Sequence, residues 1–103
     1  MKPLLMSIVT GVILTAGMTA AQAADVEAGQ AKYMACQGCH GPQGQGQAMF
    51  PPVAGKDAEY LADVMKKYRA GEQVGPNSMM MMPHMVNLSD EDIANLAAYM
   101  ASL

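Results

Sequence analysis

The sequence predicts a single all-α domain, and three observations carry that expectation. Three stretches place apolar residues at helical spacing, each opened by a residue able to cap it. No run alternates convincingly as a half-buried strand. A length of 103 residues allows one domain and hardly more.

The first element is a leader. Lys2 supplies a positive start, residues 4–18 are uncharged and largely apolar, and Ala21-Gln22-Ala23 has the small-x-small form of a signal peptidase site. A spanning helix needs about 20 predominantly apolar residues. This run is shorter and is interrupted by Ser7, Thr10, Gly11, Thr15 and Gly17, so a cleaved signal peptide over residues 1–23 is expected rather than a retained membrane anchor. The domain then covers residues 24–103, exported to the periplasm and soluble after cleavage. Losing Lys2 takes the formal net charge from −3 to −4. An acidic chain without a basic stripe is not built for nucleic acid. A domain of about 80 residues is also poorly provided with core and often needs a disulfide, metal or cofactor, so something besides side chains is expected in its middle.

Within the domain, Asp25 is the expected cap of a helix over residues 26 to about 35, continued despite Gly29. Asp57 caps a second helix running to residue 70, with Leu61, Val64, Met65 and Tyr68 on one face and Gly71 as its stop. Ser89 opens a third, with Asp92 three residues on as a relative of the capping box. Ile93, Leu96, Ala97 and Met100 lie on one side of it. Lys66, Lys67 and Arg69 close the second helix as a solvated, dipole-compensating end, and Asp90, Glu91 and Asp92 do the complementary job at the start of the third. The stretches 41–56 and 72–88 read as loops, the latter holding Gly75, Pro76, four consecutive Met and Pro83, with His84 as a loop residue. Loops longer than about 12–15 residues in a compact domain are usually functional or disordered, and these two are expected to wrap something.

Between the first two helices stands Cys36-Gln37-Gly38-Cys39-His40, the c-type haem attachment sequence. Two thiols three positions apart on one turn of chain can each add to a vinyl group of the same porphyrin. The imidazole that follows is then held beneath the iron, and Gly38 leaves space at the macrocycle edge. Both Cys of the chain are used in the motif. A redox-active disulfide is the competing reading, but it calls for a βαβ scaffold. A zinc site is another, and it would want a fourth protein ligand, for which His84 is the only other good nitrogen. Twelve Met also raise a copper reading: Met79-Met80-Met81-Met82 with His84 and Met85 is a soft set suited to Cu(I). Any single Met can equally be core filling.

The chain resembles the class I, mitochondrial-like monohaem c-type cytochromes, and within them the bacterial group of diheme-cytochrome halves and the haem subunit of flavocytochrome c. The matching residues are Cys36-Gln37-Gly38-Cys39-His40-Gly41-Pro42, Phe50-Pro51-Pro52-Val53-Ala54-Gly55 with Tyr60-Leu61, Tyr68-Arg69-Ala70-Gly71, and Leu88-Ser89-Asp90-Glu91-Asp92-Ile93 with Leu96-Ala97-Ala98-Tyr99. The first is diagnostic of haem attachment; the others persuade only in that order.

The resemblance implies three main helices wrapped around one covalent haem c. It implies His40 as one axial ligand and a Met before the last helix as the other, with the high reduction potential of His/Met ligation. In the resembling group that Met lies eight residues before the capping Ser, which here is Met81; Met82, directly before Pro83, is the runner-up. Pro51 matches the position whose backbone carbonyl accepts the second ring N–H of the axial His, though it also reads as a plain loop Pro. Gly29 and Tyr33, with Leu96 and Tyr99, match the family's helix crossing. The implied function is electron transfer to transient protein partners, without enzymatic activity, because filled axial positions leave the iron no vacant site. The alternatives are the haem subunit of a larger dehydrogenase, with a flavoprotein or other oxidoreductase as partner subunit, and the Met-rich Cu(I)-binding protein.

Overall fold

The computed structural model describes residues 24–103. The expected signal peptide lies outside the described residues. The chain forms α1 (Val26–Tyr33), α2 (Gln37–His40), α3 (Ala58–Arg69), α4 (Ser78–Met85) and α5 (Asp90–Ala101). No strand forms among the described residues; Gln47 and Phe50 make an isolated bridge. None of these helices is long and apolar enough to cross a membrane.

The three main helices begin where the sequence places their caps. The Asp25 carboxylate accepts from the Ala28 N–H at 3.1 Å, and that of Asp57 accepts from the Tyr60 N–H at 3.0 Å. Ser89 and Asp92 form a reciprocal capping box, at 3.0 and 3.1 Å. The helix α1 ends two residues earlier than expected, at Tyr33. The α3 helix ends at Arg69, followed by Gly71 in the left-handed region at φ 80°, which only glycine adopts at no steric cost.

Helices α1 and α5 cross in direct backbone contact. A Cβ placed on Gly29 would lie 2.0 Å from the Asn95 carbonyl oxygen and 2.9 Å from the Tyr99 Cβ, so glycine is required there by approach rather than by torsion. Asn95 is buried and its side-chain oxygen accepts from the Asp25 N–H at 2.8 Å. The rings of Tyr33 and Tyr99 pack with centroids 5.3 Å apart, a tilted arrangement favoured by aromatic quadrupoles. The expected face of α5 is the core: Ile93, Leu96, Ala97 and Met100 are all buried, joined by Tyr33, Leu61, Met65 and Met85.

Two elements differ from the expectation. The stretch 72–88 is not all loop, because α4 runs through its Met cluster. Met is a good helix former, and Pro83 forgoes only the one hydrogen bond its missing N–H would give the Met79 carbonyl, between two exposed residues. Arg69 is also more than a solvated helix end. Its guanidinium donates to the Leu88 carbonyl at 3.1 Å and to the Asp90 carboxylate at 2.6 Å, tying the end of α3 to the start of α5.

Gly29→Ala is expected to lower stability by about 2 kcal/mol or more. Overpacking of about 3 kcal/mol exceeds the helix-propensity gain of about 1 kcal/mol, and chemical denaturation followed by circular dichroism measures the difference. The start of α5 is acid-sensitive. The Arg69 hydrogen bond holds the Asp90 carboxyl below its ordinary 3.8, and the Ser89 backbone N–H does the same for Asp92. Groups whose folded pKa is depressed stabilise the fold above that ordinary value, and the contribution is lost as pH falls through the folded one. Asp90→Asn and Asp92→Asn are therefore less stable than the native chain at pH 7, and the gap closes as the pH falls below 3.8. Denaturation midpoints across that range test the sign.

Candidate functional site

The single turn of α2 arranges the attachment motif. The His40 N–H donates to the Cys36 carbonyl at 3.0 Å and the Cys36 N–H to that of Tyr33 at 2.7 Å, so the turn hangs directly from α1. The buried Tyr33 hydroxyl donates to the Gly41 carbonyl and braces the far end. Cys36 is half-buried and Cys39 exposed, and no disulfide joins them. They line, with His40, one cavity of about 410 Å³, within the size range of small-molecule sites. Burial, with the neighbouring Cys39 second, pushes the Cys36 thiol up.

His40 is held by its ring. Its Nδ1–H donates to the Pro51 carbonyl at 2.7 Å, and Phe50 stands edge-on with centroids 6.4 Å apart. That bond selects the tautomer with a bare lone pair on Nε2. Pro51 is itself held by the loop 41–56, which is knitted by backbone bonds: Gly46 N–H to His40 carbonyl at 2.8 Å, and Val53 and Ala54 N–H to the Gly44 carbonyl at 2.8 and 3.0 Å. At Gly46, φ is 80° and an added Cβ would meet the Pro52 nitrogen at 2.8 Å, so glycine permits the tight return. His40 Nε2 is buried with no hydrogen-bond partner among the described residues. An unsatisfied buried polar atom costs about 1–3 kcal/mol, which bonding to a metal would offset.

The opposite wall is α4, whose cavity-lining residues include Met80, Met81, His84 and Met85. Met85 is committed to the core at 2% exposure. Met82 is half-buried but does not line the cavity, whereas Met81 both lines it and packs against the core. The helix is anchored by Ser78. This buried hydroxyl accepts from the Val74 and Gly75 N–H groups at 2.8 and 2.7 Å and donates to the Gly75 carbonyl at 2.8 Å. Leu61, Val64, Met65 and Tyr68 of α3 and Leu96 of α5 complete the apolar lining. Burial pushes the Tyr68 phenol up, so it stays neutral at physiological pH.

Thus Cys36, Cys39, His40 and Met81 share one cavity, with Pro51 bonded to the imidazole, while Met82 stands outside it. Ser78 was not singled out by the sequence, although a hydroxyl following Gly-Pro-Asn and opening an apolar run is a local signal for such an anchor. His84 lies on α4 and lines the cavity rather than sitting in a loop. Lys56 lines it too, with no signal in the pattern. Among the described residues no group of three or more His, Cys, Asp or Glu side chains is arranged for a metal ion. Among the described residues there is also no βαβ unit of the kind the redox-disulfide reading needs. The orphaned imidazole nitrogen, two thiols one turn apart and a large apolar cavity between them fit a covalently attached haem.

The family model described as "Cytochrome c" matches residues 26–103. The chain belongs to the cytochrome c family. It is 46% identical over 81 residues to cytochrome c-554(548) of Halomonas halodenitrificans, covering 78% of this chain and 98% of that protein. It is 40% identical over 99 residues to cytochrome c4 of Azotobacter vinelandii, covering 87% of this chain but only 47% of that one. The solved structure of reduced recombinant cytochrome c4 from Pseudomonas stutzeri superposes with a TM-score of 0.70 at 28% identity, over 76% of this chain and 47% of that one. The chain thus spans nearly all of the c-554(548) protein and about half of the cytochrome c4 chains. Its cofactor is covalent haem c, with Cys36 and Cys39 in the attachment spacing, and its family is one of electron-transfer proteins. This cytochrome c domain has the family's helical fold.

A Cβ added to Gly38 meets no heavy atom within 4 Å, so contacts within the protein do not demand glycine in the attachment turn.

Ser78→Ala is expected to cost about 1 kcal/mol, the usual worth of a hydrogen bond whose partners are partly solvated. Amide exchange at Val74 and Gly75 should accelerate selectively, which hydrogen exchange of the haem protein measures residue by residue.

Proposed function

We propose that this cytochrome c is a periplasmic carrier of single electrons, with its haem iron held between His40 and Met81. The reading rests above all on the bare, buried Nε2 of His40, held in a cavity that Met81 also lines. The haem supplies the redox centre, and the rest is done by this chain's own groups. Cys36 and Cys39 hold the porphyrin edge through thioether bonds formed by addition of each S–H across a vinyl group. Hydrogen bonding from Nδ1 to the Pro51 carbonyl keeps the imidazole neutral, oriented and a better donor. The Met81 thioether, a soft ligand, favours ferrous iron and raises the potential. Two fixed ligands leave no vacant position for a substrate and little rearrangement on changing oxidation state, which suits transfer rather than catalysis.

Transient partners dock at the cavity mouth. Two exposed methionines line it, Met49 at 65% exposure and Met80 at 48%. No carboxylate lines the cavity, although the chain as a whole is acidic. Small, apolar, weakly charged contacts suit short-lived redox encounters, and a partner with an uncharged or basic patch fits this face.

Single substitutions test the ligand set. In the oxidised protein, Met81→Ala should abolish the weak near-infrared sulfur-to-iron band and open the reduced iron to carbon monoxide, whereas Met82→Ala should leave both unchanged. Rapid, complete carbon monoxide binding by the native protein, or loss of the band in Met82→Ala alone, would overturn the assignment.

A further inference from the structure

Haem c carries two propionate carboxylates, and an apolar cavity receives them only where a cation or a set of donors meets them. Of the residues that line the cavity, Lys56 alone is a lysine or arginine, and none is an aspartate or glutamate. Its ammonium is free to act. Lys32, Lys67 and Arg69 are paired with Asp92, Asp63 and Asp90, whereas Lys56 makes no ion pair with any described residue. The neighbouring Asp57 carboxylate is occupied in capping α3 through the Tyr60 N–H.

The backbone that carries Lys56 is fixed rather than trailing. Gly55 sits in the left-handed region at φ 68°, and its N–H donates to the Met100 carbonyl of α5 at 3.0 Å. Ala54, one residue earlier, donates to the Gly44 carbonyl at 3.0 Å. Immediately after Lys56 the chain is committed to the N-cap of α3. The backbone leading into Lys56 is thus fixed to its own loop and to the last helix, while Lys56 itself is exposed and lines the cavity.

We propose that Lys56 pairs with a haem propionate and so sets the reduction potential of this cytochrome. The proposal rests on the haem occupying this cavity. Oxidation adds one positive charge to the haem. A propionate left without its cation therefore stabilises the ferric form, and a paired one does so less. Lys56 acts as a positioning and potential-setting residue, not as an iron ligand.

The test compares Lys56→Gln, Lys56→Arg and Lys66→Gln in the intact haem protein at low ionic strength. Lys66 is the control, a second unpaired cation that lies on α3 outside the cavity lining. Potentiometry should show a lower potential for Lys56→Gln, a near-native one for Lys56→Arg and no comparable shift for Lys66→Gln. Proton resonances of the propionate methylenes should move in Lys56→Gln only, with the axial methionine methyl unmoved. Equal shifts in Lys56→Gln and Lys66→Gln, or no shift in either, would overturn the pairing. The native haem spectrum reports separately on the reading beneath it: an altered coordination there overturns the ligand assignment, while an intact spectrum without a selective Lys56 effect overturns only this proposal.

Discussion

The hydrogen bond from His40 Nδ1 to the Pro51 carbonyl, 2.7 Å long, organises much of the site. It ties the attachment turn to a loop eleven residues further on, and it decides which ring nitrogen is left with a lone pair. With Nδ1 donating, Nε2 is a buried acceptor without a hydrogen-bond partner among the described residues, on a ring that lines the cavity. The loop 41–56 exists in its observed form because that carbonyl must arrive on one side of the ring, and its glycines and internal backbone bonds bring it there.

The helices answer a second constraint, which is size. About 80 residues cannot both enclose a large cofactor and keep a generous core. The crossing of α1 and α5 addresses this by bringing two backbones into contact at Gly29 and Asn95. The remaining apolar faces of α3 and α5 are released to the cavity. Haem binding and fold stability are then coupled, because the same residues serve both: Leu61, Met65, Leu96 and Met100 are buried core and cavity lining at once.

The Met cluster shows how one helical turn sorts chemically identical side chains. Along α4, Met79 is exposed and outside the cavity lining, Met80 lines the cavity and is exposed, Met81 lines it and is half-buried, Met82 is half-buried outside it, and Met85, a turn further on, is buried in the core. Four adjacent methionines thereby have different environments without differing in chemistry. Helical rotation of about 100° per residue separates them, and a sequence read as loop carries no such rotation. For the same reason His84, expected in a loop, lies instead on α4 and lines the cavity.

Local chemistry is written in the chain and was legible there. Caps at Asp25, Asp57 and Ser89, the apolar stripe of α5 and the Cys36-to-His40 spacing depend on residues within one or two turns of each other, so their physics is complete in a short window of sequence. Tertiary structure alone decided the matters that depend on residues far apart: Arg69 reaching Leu88 and Asp90, Ser78 anchoring α4, Lys56 at the cavity wall, and Met81 rather than Met82 among the lining. Each of these is a question of direction and distance between elements. Packing sets those quantities, and periodicity and composition leave them open.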